Sequence, residues 1–147
     1  MRKSIIAILM TFCLSIMTYA QTPRDRATEL KEQAQSSLNQ KDYIKARYLF
    51  KKAYEAFATR ENYPQAIECG VQANALYVRE NFYKEGFELC RDMDQLIWAG
   101  EQNQKKVFYD LRFLVNKERL QMYTALKNPA QAKTQLNKLE ETANLAK

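Results

Sequence analysis

The sequence predicts an all-α protein built from antiparallel helical hairpins. The 147-residue chain has three glycines and three prolines, and it contains no Asn-Gly or Asp-Gly pair of the kind that joins two strands. Residues that favour helices (Ala, Leu, Lys, Glu, Gln and Arg) dominate beyond residue 20. Polar breaks of a few residues divide this region into six helical segments, and such short connections favour antiparallel neighbours.

The first twenty residues are typical of a targeting segment. A basic pair at residues 2–3 precedes an apolar run at residues 5–17, and residues 18–20 (Thr-Tyr-Ala) resemble a cleavage site. The run is shorter than the roughly 20 residues that a membrane-spanning helix needs. We therefore expect a signal peptide over 1–20, a mature chain starting at Gln21, and export to the periplasm of a bacterial envelope. A retained membrane anchor is the alternative, and a lipid on Cys13 is disfavoured.

The first two helices are predicted from their caps. Thr22-Pro23 places a capping hydroxyl before a proline at the first helical position, so the first helix should run to about Leu38. Residues 39–41 are a polar break, and Asp42 is suited to cap a second helix from residue 43 to about residue 58.

The third and fourth helices are predicted from Pro64 and Gly100. Pro64 disfavours helical geometry at the preceding residue, so we expect the third helix to run from Pro64 to about Glu80. The fourth helix is expected from Phe82 to Trp98, because Gly100 is suited to the position that follows a helix.

The last two helices complete one domain over residues 21–147. A long segment from residue 102 to residue 126 precedes Asn128-Pro129, which with Gln131 forms a cap for a helix that ends near Ala146. The expected hairpins therefore span about 22–58, 64–99 and 102–146.

An internal repeat emerges when the second helices of the three hairpins are superimposed. A small residue three positions after each turn allows close packing, and apolar residues four and seven positions further on fill the groove between helices. The aligned turn residues are Tyr43, Tyr83 and Pro129, followed by Ala46, Gly86 and Ala132, by Phe50, Cys90 and Leu136, and by Ala53, Met93 and Leu139. Six residues before each turn stand Ser37, Tyr77 and Tyr123.

This repeat resembles the tetratricopeptide repeat (TPR) family. The family's signature spacing is matched best by Ala34, Tyr43, Ala46, Phe50 and Ala53. Asn74 and Leu120 stand where the pattern has small residues, and the intervals between aligned turns are 40 and 46 residues rather than 34. The resemblance implies a TPR-like α-solenoid of about three repeats, and an irregular antiparallel bundle is the alternative.

The composition excludes several kinds of catalytic site. A chain with no histidine cannot form a Ser-His-Asp triad, a Cys-His dyad or an HExxH zinc site. No glycine-rich phosphate loop or EF-hand spacing occurs. Acidic residues at 85, 88, 92 and 94 follow helical spacing and are expected to form a solvated face. We therefore expect a protein that is not an enzyme and binds no cofactor or metal.

Cys69 and Cys90 are the two cysteines of the expected mature chain. An even number of cysteines in an exported protein can indicate a disulfide. These two lie about one helical turn out of register on antiparallel helices, whereas a disulfide needs Cα atoms within about 7 Å. Buried free thiols are therefore favoured, with a disulfide as the alternative.

The charge of the chain is unevenly distributed. The net charge is +6, and residues 21–60, 61–100 and 101–147 carry +4, −4 and +4. A basic stripe would favour nucleic acid, but the acidic middle interrupts it and an exported protein rarely meets nucleic acid. We expect mixed solvated faces and no nucleic-acid partner. An acidic peptide bound at either end stays open.

The resemblance implies a binding groove on the first helix of each hairpin. Alignment with the family places these residues in it: Lys31, Gln35, Leu38, Val71, Ala75, Val78, Lys117, Gln121 and Thr124. We expect a non-enzymatic module that holds a peptide or protein on this concave face. The alternative is a periplasmic sensor region of a longer envelope signalling protein of the histidine kinase or transcription regulator type.

The last helix carries apolar residues beyond its expected inward stripe. That stripe is Leu136, Leu139 and Ala143, which leaves Leu145 and Ala146 outside it. We expect this end to be covered by self-association, by further repeats or by a partner, because stacked repeats bury their apolar faces against the next one. A frayed terminus with two exposed apolar residues is the alternative.

Overall fold

A computed structural model describes residues 25–146, a range that contains six α-helices and no strand. The helices are α1 (Arg26–Asn39), α2 (Tyr43–Thr59), α3 (Tyr63–Arg79), α4 (Tyr83–Gln104), α5 (Tyr109–Ala125) and α6 (Pro129–Leu145). None of these helices combines the length and the hydropathy that a membrane-spanning segment requires. The predicted signal peptide, Cys13 and Thr22-Pro23 lie outside this range. The described residues show α1 beginning at Arg26 with Asp25 as its cap, since the Asp25 side chain accepts a hydrogen bond from the Ala27 amide, so the predicted start of the first helix at Pro23 was wrong.

The same three-residue turn joins four of the five consecutive helix pairs. In the first turn the Asp42 amide donates to the Ser37 carbonyl, and the Lys41 amide donates to the Leu38 carbonyl, both at 2.9 Å. These two bonds define a Schellman motif, which reverses the chain at the end of a helix. The equivalent bonds recur around three more residues, and the four turn residues with φ between 53° and 63° are Lys41, Glu61, Asn81 and Lys127.

In three of the four turns the side chain of the last residue also caps the next helix. The Asp42 side chain accepts a hydrogen bond from the Lys45 amide, and Asn128 accepts one from the Gln131 amide, which confirms both predicted caps. Asn62 caps α3 in the same way. Because one residue closes a helix and opens the next, consecutive helices reverse direction with little connecting chain.

The helices start at a regular spacing. Tyr43, Tyr63 and Tyr83 begin α2, α3 and α4 at intervals of 20 residues, and α6 begins 20 residues after Tyr109. The one longer interval arises because α4 has 22 residues, five more than α3, and because a loop over residues 105–108 follows it. The predicted end of the fourth helix at Trp98 and the predicted start of the fifth at residue 102 were therefore wrong.

Gly100 explains that error. It lies buried inside α4 rather than after it, and the left-handed residue that ends α4 is Lys105, with φ at 49°. A Cβ on Gly100 would lie 2.8 Å from the Phe108 ring and 2.9 Å from the Tyr63 ring. The glycine is needed for close packing between aromatic side chains, and it does not end the helix.

The core follows the predicted repeat in the first two hairpins. Each helix packs on the next one, and α3 also packs against α5. The predicted small residues Ala46 and Gly86 are buried, and so are the predicted groove-filling residues Phe50, Ala53, Cys90 and Met93. The all-helical class and the packed neighbouring helices are thus confirmed.

The third hairpin departs from the predicted packing. Leu139 is buried as expected, but Leu136 is 46% exposed and Ala143 is exposed. The buried residue beside Leu136 is Gln135, so the inward stripe of α6 is rotated by about one residue. Because α6 packs mainly on α5, it buries only a narrow stripe. Leu145 was predicted to lie outside the inward stripe, and its side chain is 58% exposed.

Candidate functional site

The predicted groove residues lie on three alternate helices. α1, α3 and α5 carry three of them each. Lys31 of α1 reaches α3, where its Nζ donates to Gln65 Oε1 at 2.8 Å and to Glu68 Oε2 at 2.7 Å. α3 packs on α5, and Lys31 links α1 to α3, so the predicted residues lie on helices that contact one another.

The exposure of these residues describes a shallow face. Three apolar side chains, those of Leu38, Val71 and Val78, are half-buried and pack against the core cluster. Ala75 is exposed between the two valines. The α5 residues Lys117, Gln121 and Thr124 are exposed, as is Gln35 on α1. The face therefore has an apolar strip along α3 and polar side chains on both flanks.

A buried polar pair lies between α3 and α5. Asn74 is fully buried and Glu118 is 4% exposed, and Asn74 Nδ2 donates to Glu118 Oε2 at 3.0 Å. Burial raises the pKa of Glu118, while the Asn74 hydrogen bond and the Lys117 charge oppose that rise. The departure of Asn74 from the small residue of the TPR pattern is thus explained by its partner on α5.

A cleft of about 480 Å³ opens between α4, α5 and α6. Trp98, which is 63% exposed, and Leu145 line it together with Arg112, Arg119 and other residues of these helices. Arg119 pairs with Asp94 and donates to the Cys90 carbonyl at 3.0 Å. The sequence analysis placed Leu145 on the surface and did not identify the cleft, because the cleft depends on how far α6 stands from α4.

Glu101 holds the start of α5 in place. Its side chain accepts a hydrogen bond from the Phe108 amide at 2.8 Å and another from Arg112 Nε at 2.7 Å, and it forms an ion pair with Arg112. These hydrogen bonds, led by the one from Arg112, lower the pKa of the Glu101 carboxyl. The residue at the cap position of α5 is Phe108, whose side chain makes no capping hydrogen bond. The buried Glu101 carboxylate therefore supplies the hydrogen bonds that fix the start of this helix.

The outer face of α2 combines exposed apolar and basic residues. Ile44 is 69% exposed and Tyr48 is 61% exposed, and Lys51 and Lys52 lie beside them. Lys52 is paired with Glu55 at 2.8 Å. This surface points away from the core and gives an exposed reference position for mutational tests.

The two described cysteines are free and buried, as the sequence analysis favoured. Burial raises the pKa of Cys69 to about 11 and that of Cys90 to about 12. Because the thiolate is the nucleophilic form, neither thiol is activated at neutral pH. The acidic residues predicted to form a solvated face, Glu85, Glu88, Asp92 and Asp94, are all exposed.

Within residues 25–146, no group of three or more His, Cys, Asp or Glu side chains is arranged to hold a metal ion. Comparisons of the chain with protein-family models, curated proteins and solved structures gave no match.

Proposed function

We propose that this protein is an exported, non-enzymatic interaction module, with a TPR-like α-solenoid of about three repeats, that binds a peptide or protein. The binding face is the concave surface formed by α1, α3 and α5. A sensor region of a longer envelope signalling protein would use the same face, so one experiment tests the face under either arrangement.

The observation that supports this proposal is the recurrence of one turn. Four Schellman turns reverse the chain at four of the five connections, so that α1 and α3 run in the same direction, and the short loop over residues 105–108 joins α4 to α5. The contacts from Lys31 to Glu68 and from Asn74 to Glu118 then join α1, α3 and α5 in one row. A row of parallel helices presents the extended surface that repeat proteins use for binding.

The chemistry of the face favours a peptide with an apolar anchor. Val71, Ala75 and Val78 supply apolar area along α3, where an apolar side chain of the partner loses contact with water. Gln35 and Gln121 supply amide donors and acceptors on the flanks. A mixed apolar and amide surface matches a peptide backbone with alternating apolar side chains, and it lacks the cluster of cations that an anion site would need.

A peptide-display selection against the purified protein, followed by calorimetric titration of the enriched peptides, tests the face. Ala75→Glu places a charge at its exposed centre without disturbing the core. The matched control is Ile44→Glu, which places the same charge on the outer face of α2. We expect Ala75→Glu to weaken binding at least about tenfold, or about 1.4 kcal/mol, and Ile44→Glu to bind like the wild type. Equal loss in both variants, or no loss in Ala75→Glu, would refute this face.

A further inference from the structure

The buried pair of Asn74 and Glu118 lies directly beneath the proposed groove. Each partner is the sequence neighbour of a groove residue, Ala75 on α3 and Lys117 on α5. The single hydrogen bond from Asn74 Nδ2 to Glu118 Oε2 crosses the contact between the two helices. Any change in this pair therefore acts on the spacing between two of the three helices that form the groove.

The hydrogen bonds of the pair are incomplete as long as Glu118 is ionised. Asn74 Oδ1 is buried and accepts no hydrogen bond. A Cβ on Gly86 would lie 3.0 Å from that oxygen and 2.8 Å from Met122 Sδ, so the surrounding atoms are closely packed. An ionised carboxylate only accepts hydrogen bonds, whereas a neutral carboxylic acid also donates one. A proton on Glu118 would supply a donor next to the buried amide oxygen that has none.

The charges around Glu118 do not replace that proton. Lys117, on the same helix, favours the ionised form but is exposed. Arg119 is engaged by Asp94 on α4, and the Cys90 thiol, also on α4, is neutral because burial raises its pKa to about 12. From α3 the pair receives only the uncharged Asn74, and no charged group of α6 acts on Glu118 among the described residues.

We propose that Glu118 is the neutral acid when α3 and α5 are tightly packed, that its O–H then donates to Asn74 Oδ1, and that its ionisation loosens the two helices and changes the width of the groove. The proton-sensitive contact stands on the geometry of the pair alone. Its role in regulating the groove rests on the proposed function.

The direction of the pH effect follows from burial. The pKa of Glu118 is raised in the folded protein above its ordinary value of 4.5, mainly because burial disfavours the charged form. The pair therefore contributes its full stability below that ordinary value and loses it as the pH rises through the folded-state pKa. The contact between α3 and α5 is tight in acid and loosened on the alkaline side.

Glu118→Gln tests the proton. Glutamine keeps an acceptor for Asn74 Nδ2 and supplies a permanent donor for Asn74 Oδ1. At about pH 8 we expect a higher urea midpoint than in the wild type, and at about pH 4 an equal one, since each unit of raised pKa changes the unfolding constant tenfold. The control Glu88→Gln removes an exposed charge on α4 and is expected to keep the wild-type pH dependence. If Glu118→Gln also keeps the wild-type pH dependence of the urea midpoint, Glu118 is not held neutral in the folded protein and the proposal is wrong.

The spacing of the helices is measured without any peptide. Spin labels on Ala75→Cys and Gln121→Cys report the distance between α3 and α5, and the buried Cys69 and Cys90 are shielded from the labelling reagent. We expect the distance distribution to shift or broaden between about pH 5 and about pH 8, and to stay constant when Glu118→Gln is added. If the distance distribution does not change with pH in the labelled protein, either with Glu118 or with Glu118→Gln, the proposed regulation of the groove is wrong. A failure to find a bound peptide would instead overturn only the proposed function.

Discussion

Replacing Lys41 with glycine should stabilise the protein, because the first turn forces a residue with a side chain into a left-handed conformation. Lys41 has φ at 62° and its side chain is exposed. Its amide bond to the Leu38 carbonyl depends on the backbone alone, so glycine keeps the Schellman motif. The substitution removes the close contact between Cβ and the backbone that makes this conformation costly.

The expected gain is a difference between two opposing effects. A left-handed residue with a Cβ costs roughly 1–2 kcal/mol relative to a right-handed one. Glycine loses more conformational freedom on folding, which offsets about 0.5–1 kcal/mol. Lys41→Gly should therefore raise the free energy of unfolding by about 0.5–1 kcal/mol, which corresponds to about 2–4 °C in the thermal midpoint for a chain of this size.

Urea unfolding of a matched series measures this effect. Lys41→Ala also removes the long side chain but keeps the Cβ, so it should not be stabilised. Asn81→Gly, in the equivalent turn with φ at 63°, should gain less than Lys41→Gly, because asparagine tolerates the left-handed region. If Lys41→Gly is no more stable than Lys41→Ala, the cost assigned to the left-handed backbone is wrong.

Two further substitutions test the junction between α4 and α5. Gly100→Ala should lower the free energy of unfolding, measured in urea, by up to about 2 kcal/mol. Overpacking against the Tyr63 and Phe108 rings costs about 1–3 kcal/mol, and the higher helix propensity of alanine offsets about 1 kcal/mol of that cost. A stabilised variant would mean that the rings move aside. Glu101→Gln should be less stable than the wild type at about pH 7, because the ion pair with Arg112 stabilises the protein only while the carboxyl is ionised. The difference in stability between the two proteins should disappear as the pH falls through the lowered pKa of Glu101. Urea midpoints across this pH range check the prediction, and a gap that stays constant would contradict it.

The fold class and the helix caps could be predicted from the sequence because they rest on local chemistry. Asp42 and Asn128 bond to amides only three residues away, so a cap can be recognised without knowing the tertiary structure. The 20-residue spacing was also present in the sequence. Tyr43, Tyr63 and Tyr83 mark it, but superimposing only the second helix of each hairpin left Tyr63 out of the comparison.

The end of α4 could not be predicted in the same way. A glycine after a helical stretch can end the helix, or it can lie inside the helix where another side chain packs closely against it. The sequence alone does not distinguish these two roles. At Gly100 the second role decides, because the ring of Phe108, the last residue of the loop after α4, packs against it. The longer α4 and its loop then displace α5 and α6 from the regular spacing, which is why the packing of the third hairpin was predicted poorly.

The candidate site shows where departures from a repeat pattern carry information. Asn74 breaks the small-residue position of the second hairpin, and a buried amide needs a hydrogen-bonding partner. That partner, Glu118, lies 44 residues away on α5, at a distance in the chain that no local pattern covers. A polar residue at a packing position therefore indicates that a second polar residue faces it, although it does not say which one. In this protein the two together form a contact between α3 and α5 whose strength depends on a proton, whereas an apolar pair would have held the same helices at every pH.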